Sequence, residues 1–226
     1  AAVIATASLL LLEMFGKSLG YAYADLGLTL FFTACVVVLV LWTQYRRYAW
    51  LWLSAALMGT MLGIKYSALV FGGLLGLAVI QLTRNFKQVL IYAGIAALFG
   101  CFWYIRSLVI SGNPVHPFAS EIFGNYIWST QDIAGQWRDL GRHGIDKTPL
   151  NFLLLPWHLV TNPGSFHEVP GLAGWLVGLF YISLLMFKRW SPVLRLLSLV
   201  GLAYLVFWFS TSHVMRYMIP VSPLLA

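Results

Sequence analysis

Gly59-Thr60-Met61-Leu62-Gly63-Ile64-Lys65-Tyr66-Ser67 breaks an apolar stretch that otherwise runs from Trp50 to Leu82. As one helix the stretch crosses a membrane once; as two it crosses twice. Its flanks decide. Arg46-Arg47 precede it, and Arg84 and Lys87 follow it. Short loops rich in Lys and Arg stay on the cytoplasmic side, so an even number of crossings must separate these two loops. The spacing therefore predicts two helices, Trp50–Ile64 and Ser67–Leu82, with Lys65 at the outer interface.

The sorting of charge along the whole chain agrees. Glu13, Asp25, Glu121, Asp132, Asp139, Asp146 and Glu168 are all the acids, and each falls in, or at the mouth of, a segment on the outer side. The inner loops carry Arg46, Arg47, Arg84, Lys87, Lys188, Arg189 and Arg195 and no acid. The net charge of +7 is the charge of those seven bases, because the outer side holds seven bases and seven acids. Such a balance suits short loops facing an anionic inner leaflet and does not point to nucleic acid. The chain is 60% hydrophobic and 9% charged, against about 25% charged in soluble domains.

A helix needs about 20 apolar residues to span the hydrocarbon layer. Six runs are complete: Leu26–Trp42, Trp50–Ile64, Ser67–Leu82, Val89–Ile110, Gly171–Phe187 and Leu194–Phe209. Ala1–Leu12 and Met218–Ala226 are truncated, and Ala1 follows no initiator Met or signal pattern. The expected fold is an all-α polytopic membrane protein, six complete spans plus two truncated ones, within a longer chain. Trp42, Tyr45, Tyr48, Trp50, Trp103, Tyr104 and Trp190 fall near run ends, as an aromatic belt does. Residues 1–226 read as one transmembrane domain, with 111–170 as its outer loop subregion. There, Ser129 or Thr130 caps a short helix that Gly141 stops. Thr148-Pro149 opens a second, Leu150–Val160, apolar but too short to span, and expected to lie in the outer interface or to re-enter. Cys35 and Cys101 sit in apolar runs and form no disulfide framework.

Chemistry is available on the outer face alone, where all the carboxylates and all five histidines lie. Asp25 opens the second run after Tyr21 and Tyr23; it reads either as a helix cap or as a carboxylate that meets a hydroxyl substrate at the membrane surface. Lys65 is either a snorkelling lysine or a fixed cation for a lipid-borne phosphate. Arg106, inside the fifth run, admits the same two readings. His116, between Pro114 and Pro117, reads first as a loop histidine. His213 and Arg216 stand three apart at the outer mouth of the last run, sharing a face if that stretch is helical. The mixed charges of 121–147 read as a solvated surface. No His spacing matches a metal site, and no glycine-rich phosphate loop is present; divalent-metal dependence stays open.

Four stretches, in order, carry a resemblance. They are Tyr23-Ala24-Asp25-Leu26; Gly59-Thr60-Met61-Leu62-Gly63-Ile64-Lys65-Tyr66-Ser67-Ala68-Leu69; Trp103-Tyr104-Ile105-Arg106 with Gly112-Asn113-Pro114-Val115-His116-Pro117-Phe118; and Arg216-Tyr217-Met218-Ile219-Pro220 running to Leu225. Together the chain resembles the C-type membrane glycosyltransferases of the protein-O-mannosyltransferase-like and lipid A aminoarabinose transferase-like group. The resemblance implies a polyprenyl-phosphate-linked sugar donor, a lipid, glycan or protein acceptor, and inverting single displacement at the periplasmic or extracellular face of a bacterial or archaeal inner membrane. It implies that the principal base lies on an outer loop before residue 1 and that Asp25 matches the second acidic position. By the same resemblance Lys65, Arg106 and Arg216 face the donor phosphate, and Tyr23, Tyr66, Asn113, His116 and His213 become pocket candidates. Ser107 stands where the family often has Asn, and His116 where it has Tyr.

Two other classes compete. A transporter or flippase of lipid-linked intermediates favours ionisable groups at mid-membrane and inverted repeats; here the ions collect at outer ends and no repeat is seen. A non-catalytic membrane scaffold fits an upstream outer loop lacking any acid.

Overall fold

The computed structural model describes residues 6–7, 10, 13–21, 23–124, 127–167 and 170–225. Most of the expected first run, and Glu168, lie outside these. The described residues form helices α1 Glu13–Gly20, α2 Asp25–Tyr45, α3 Tyr48–Leu62, α4 Ala68–Thr83, α5 Phe86–Ser111, α6 Ser120–Phe123, α7 Thr130–Gly141, α8 Pro149–Leu153, α9 Leu155–Thr161, α10 Ala173–Leu184, α11 Pro192–Thr211 and α12 Ser222–Leu225. They contain no strand, only an isolated parallel bridge between His167 and Val214.

Among the described residues three helices are long and apolar enough to cross a membrane: α2 with 21 residues, α5 with 26 and α11 with 20. The other three expected spans are shorter: α3 has 15 residues, α4 16 and α10 12. At 1.5 Å per residue they extend roughly 18–24 Å, against about 30 Å of hydrocarbon. In the described part of the expected final span, Met218–Ala226, Met218 closes a 3₁₀ turn that begins at Met215, and Ser222–Leu225 form α12.

The chain divides into two compact units, Leu30–Asp139 and Ala1–Thr29 with Leu140–Ala226. The boundary at Asp139 falls inside the outer subregion 111–170. In the first unit, the reversals α2–α3 and α4–α5 are made by basic residues expected on the inner side, Arg46 and Arg84, both at left-handed φ (55° and 50°). Asn85 then caps α5 by accepting from the Gln88 amide at 3.3 Å. Helices α3 and α5 cross with their backbones in contact. A Cβ on Gly59 would collide with the Ala96 carbonyl oxygen, and one on Gly100 would lie 2.8 Å from the Gly59 carbonyl oxygen. Small residues at such a crossing let helices close without a hydrophobic drive between them. A buried polar knot joins α2, α3 and α5: the Ser54 hydroxyl lies 3.1 Å from the Tyr92 hydroxyl and donates to the Cys35 carbonyl at 3.2 Å. Phe32 and Phe71, both fully buried, pack at 4.5 Å between centroids.

In the second unit the predicted single helix Leu150–Val160 is two, α8 and α9, meeting at Leu154. Pro156 is the cause: it has no N–H to give the Phe152 carbonyl, and the Tyr181 hydroxyl of α10 donates to that carbonyl instead at 2.9 Å. Helix α9 lies tightly on α10, because Gly174 leaves no room for a Cβ between Val160 and the Pro156 carbonyl, 2.7 and 2.9 Å away. Leu155 and Leu159 are buried there, while Leu153 and Trp157 face outward. Helix α7, most of it in the first unit, begins at Thr130 behind Ser129, one of the two expected caps. The Ser129 hydroxyl accepts from the Asp132 amide at 3.2 Å, while the Asp132 carboxylate accepts from the Ser129 amide at 2.8 Å and from its hydroxyl at 2.7 Å, a reciprocal cap. These bonds hold the Asp132 carboxyl below its ordinary value.

Candidate functional site

Asp25 and Arg216, far apart in sequence, meet in the second unit. Asp25 is not the cap of α2 but its first helical residue, since the Ala24 carbonyl already accepts the Leu28 amide at 3.0 Å. A carboxylate there sits in the favourable field of the helix N-terminus. It is 2% exposed. Arg216 Nε stands 4.0 Å from Asp25 Oδ2, an ion-pair separation rather than a hydrogen bond. The guanidinium lies over the Tyr23 ring, 4.4 Å from its centroid, and 5.4 Å from that of Tyr217. Tyr23 is exposed, so one wall of this ion pair opens outward.

Arg216 is held by the turn that carries it. Tyr204 and Trp208, one helical turn apart on α11, donate to the Tyr217 and Val214 carbonyls at 2.8 and 2.9 Å. Main-chain bonds add to this: the Met215 amide donates to the His167 carbonyl at 3.1 Å, and the His167 amide to the His213 carbonyl at 3.3 Å. Met14 of α1 and Met215 are both buried, with α1 against this turn. Tyr217, Tyr204 and Trp208 were not among the residues singled out from sequence. Their signal was the aromatic pair four apart on α11 preceding a basic residue in a short turn.

His213 belongs to the floor rather than to the open wall. It is fully buried among Phe166, Trp208 and Phe209, with ring centroids 5.8, 5.2 and 5.1 Å away. Its Nδ1 lies 3.3 Å from the His143 carbonyl, and because a carbonyl only accepts, Nδ1 carries the proton. Burial holds His213 below the ordinary imidazole value, with the nearby Lys147 charge adding to that and the backbone bond to His143 opposing it.

The remaining candidates lie in the first unit. Lys65 is half-buried in the turn between α3 and α4. Tyr66 packs its ring against Tyr104 and Phe118 and donates to the Ser107 hydroxyl at 3.5 Å. Tyr104 in turn donates to the Leu62 carbonyl at 2.7 Å. Arg106 is exposed, one turn from Trp103, with its guanidinium 5.7 Å from that ring. Asn113 is fully buried with both ends of its amide engaged, by the Phe118 carbonyl at 2.8 Å and the Val115 amide at 2.9 Å; it holds the loop that carries His116. The His116 ring stands edge-on to Trp128. Ser107 donates to the Asn113 carbonyl at 2.8 Å, a loop-bracing task. Among the described residues no three His, Cys, Asp or Glu side chains are placed to share a metal ion.

A family profile described as a domain of unknown function, DUF8201, matches residues 4–222. The chain belongs to the DUF8201 family. The match takes in both the Asp25–Arg216 pair and the Lys65–Arg106 region of this DUF8201 chain. A protein of Shigella flexneri described as uncharacterized is 33% identical over 142 residues, which make up 62% of the DUF8201 chain and 69% of that protein. No solved structure matches it.

Proposed function

We propose that this protein transfers a sugar from a polyprenyl-phosphate carrier to an acceptor hydroxyl, at the non-cytoplasmic face of a bacterial or archaeal inner membrane. In this reading it has the six complete spans and orientation read from its charge pattern, α3, α4 and α10 crossing where the bilayer thins or where flanking aromatic and basic residues complete the span. The observation that carries the reading is the Asp25–Arg216 pair: a buried carboxylate and a guanidinium, side by side next to an exposed tyrosine. Transfer to a hydroxyl needs both kinds of group. A carboxylate takes the acceptor proton as the acceptor oxygen bonds to the anomeric carbon, with Asp25 assisting from the second acidic position, and the bond from that carbon to the phosphate oxygen breaks. The lipid phosphate leaves with the electron pair, and a fixed cation stabilises it. Tyr23 offers the flat apolar face on which a sugar ring stacks. General-base assistance is worth about 10²–10⁴-fold.

The test is turnover of polyprenyl-phosphate sugars by the protein in lipid nanodiscs. In a Cys101→Ala background, Asp25→Asn should lower the rate at least about 100-fold while lowering the thermal midpoint, read by Cys35 labelling, by less than Arg216→Met does. Full activity of Asp25→Asn overturns the catalytic assignment. A chain that turns over no lipid-phosphate sugar, and whose Asp25→Asn variant only unfolds more easily, is instead the membrane scaffold.

A further inference from the structure

Helices α8 and α9, Pro149 to Thr161, contain no acid, lysine or arginine, and their side chains sort onto distinct flanks. One flank is packed: Leu155 and Leu159 are buried, and the Phe152 ring lies 5.3 Å from that of Phe209 on α11. Another is bare: Leu150, Leu153 and Trp157 are 63%, 67% and 66% exposed, at the spacing of one helical face. The two helices run antiparallel to α10. The Phe152 ring lies 5.9 Å from that of Tyr181. Pro156 faces Gly178, where a Cβ would lie 3.5 Å from that of the proline, and Val160 lies against Gly174, 2.7 Å from where its Cβ would be. Residue numbers rise along one partner as they fall along the other, over about two turns of α10. Packing over that length holds the two axes at a small angle. A helix lying flat on the bilayer would instead cross an upright α10 and touch it at one place.

The polar groups of α8 and α9 are turned in or bonded back. Pro156 frees the Phe152 carbonyl, and the Tyr181 hydroxyl meets it at 2.9 Å. The Asn151 amide donates to the Asp146 carbonyl at 2.8 Å, and the Thr161 hydroxyl to the Trp157 carbonyl at 2.9 Å. Both ring nitrogens of His158 are enclosed. Water would satisfy polar groups wherever they stood; hydrocarbon leaves them only protein partners. The charge that precedes α8 is also met by protein: the Lys147 ammonium donates at 2.9 Å to the carbonyl of Thr211, the last residue of α11, where a helix C-terminus favours a cation. The bare flank offers a protein partner no charge to pair with. At Val160, which is exposed and lies on Gly174, it meets the exposed side of α10, that of Trp175, Leu179 and Ile182. We propose that α8 and α9 re-enter the outer leaflet beside α10, with Leu150, Leu153, Leu154 and Trp157 against lipid acyl chains. Because Gly174 lies at the expected outer end of α10, Thr161 is near the membrane surface and Leu150 is the deep end. The inference rests on α10 crossing the membrane, as proposed above, and is independent of sugar transfer.

The experiment is site-directed spin labelling of the protein in phosphatidylcholine nanodiscs, in a Cys101→Ala background whose remaining Cys35 is buried. Nitroxides on Leu150→Cys, Leu153→Cys, Trp157→Cys and Thr161→Cys, all at exposed positions, are compared with Leu179→Cys on the exposed side of α10 and with Arg138→Cys in the outer subregion. Collision with oxygen, which concentrates in hydrocarbon, and with a water-soluble nickel chelate gives the surroundings and depth of each label. The labels on Leu150→Cys, Leu153→Cys and Trp157→Cys should meet oxygen more than the chelate, as the label on Leu179→Cys does and the one on Arg138→Cys does not. Leu150→Cys should report a greater depth than Thr161→Cys, by up to about 16 Å, the helical rise between them. Equal depths at these two positions would lay the helices flat on the surface. A preference for the chelate at Leu153→Cys and Trp157→Cys would put their flank in water, and exclusion of both reagents would put a protein partner on it. Each of these results overturns the proposal. A preference for the chelate at Leu179→Cys shows instead that α10 does not cross, and removes that span and the proposal together.

Discussion

At the scale of single residues the contact that matters most is the one between Asp25 and Arg216. An ionised carboxylate that is 2% exposed needs a compensating charge, and removing one partner of a buried pair typically costs 3–5 kcal/mol. Here the guanidinium side chain is 22% exposed and the separation is 4.0 Å, so the loss should be smaller. Arg216→Met should destabilise the protein by about 2 kcal/mol, read as a lowered thermal midpoint. Because the penalty is the stranded carboxylate, adding Asp25→Asn to Arg216→Met should restore part of the loss. Strictly additive effects of the two changes would mean the pair is not coupled. His213 makes a different prediction. Burial keeps its folded pKa low, so between that value and the unfolded value of about 6.5 the unfolded chain binds more protons. Stability should therefore fall as pH drops below about 6.5. His213→Gln should flatten that slope, measured as thermal midpoint against pH; an equal slope in the variant would place the titrating group elsewhere. Sequence showed Asp25 and Arg216 as separate candidates, each with an aromatic neighbour. It could not show that they touch, because the contact depends on how α11 braces the turn at Met215–Met218.

At the scale of elements, apolar runs located the helices well and their ends less well. Leu26–Trp42 and Val89–Ile110 became α2 and α5, each longer than its run at both ends, since a helix continues through polar flanks once nucleated. The reverse held for Leu150–Val160, where apolarity hid a break. Pro156 was the visible signal; what hydropathy could not supply was the hydroxyl of Tyr181, which satisfies the freed carbonyl and lets the break persist. Tyr181→Phe should accordingly loosen the α8–α9 junction, seen as faster amide exchange at Leu154 and His158. Unchanged exchange would show that the bond does not hold the break. The α3–α5 crossing is the stronger constraint. Gly59 packs against the backbone of α5 at Ala96 and Gly100, where no flexible side chain can give way. Gly59→Val should cost more than about 3 kcal/mol, as overpacking at a rigid contact does. By contrast Gly73→Val, on a face where a Cβ meets nothing within 4 Å, should be tolerated. The relevant assay is the folded fraction after detergent extraction. Equal yields for the two variants would remove the crossing as a determinant of the fold.

At the scale of the whole molecule, the expected sorting of ions across the bilayer has a local structural counterpart. Two of the three reversals at the expected inner side place an arginine, Arg46 or Arg84, in a left-handed turn. The guanidinium of Arg46 also lies 5.1 Å from the Trp42 ring, a pairing suited to the lipid headgroup zone. Helix α5, at about 39 Å, is longer than the hydrocarbon layer and must tilt or extend beyond it. That lets the exposed Arg106, five residues from its end, lie beyond the hydrocarbon at little cost. The cysteines make the orientation measurable. Cys35 is buried and Cys101 is exposed on α5, so a Cys101→Ala background leaves a thiol that a membrane-impermeant maleimide does not reach. In that background Lys87→Cys should label only after the membrane is permeabilised, and Arg138→Cys should label in intact cells. The opposite pattern would reverse the orientation. Asp25 and Arg216 would then face the cytoplasm, and the sugar transfer proposed for the non-cytoplasmic face would be overturned even if the pair itself were intact.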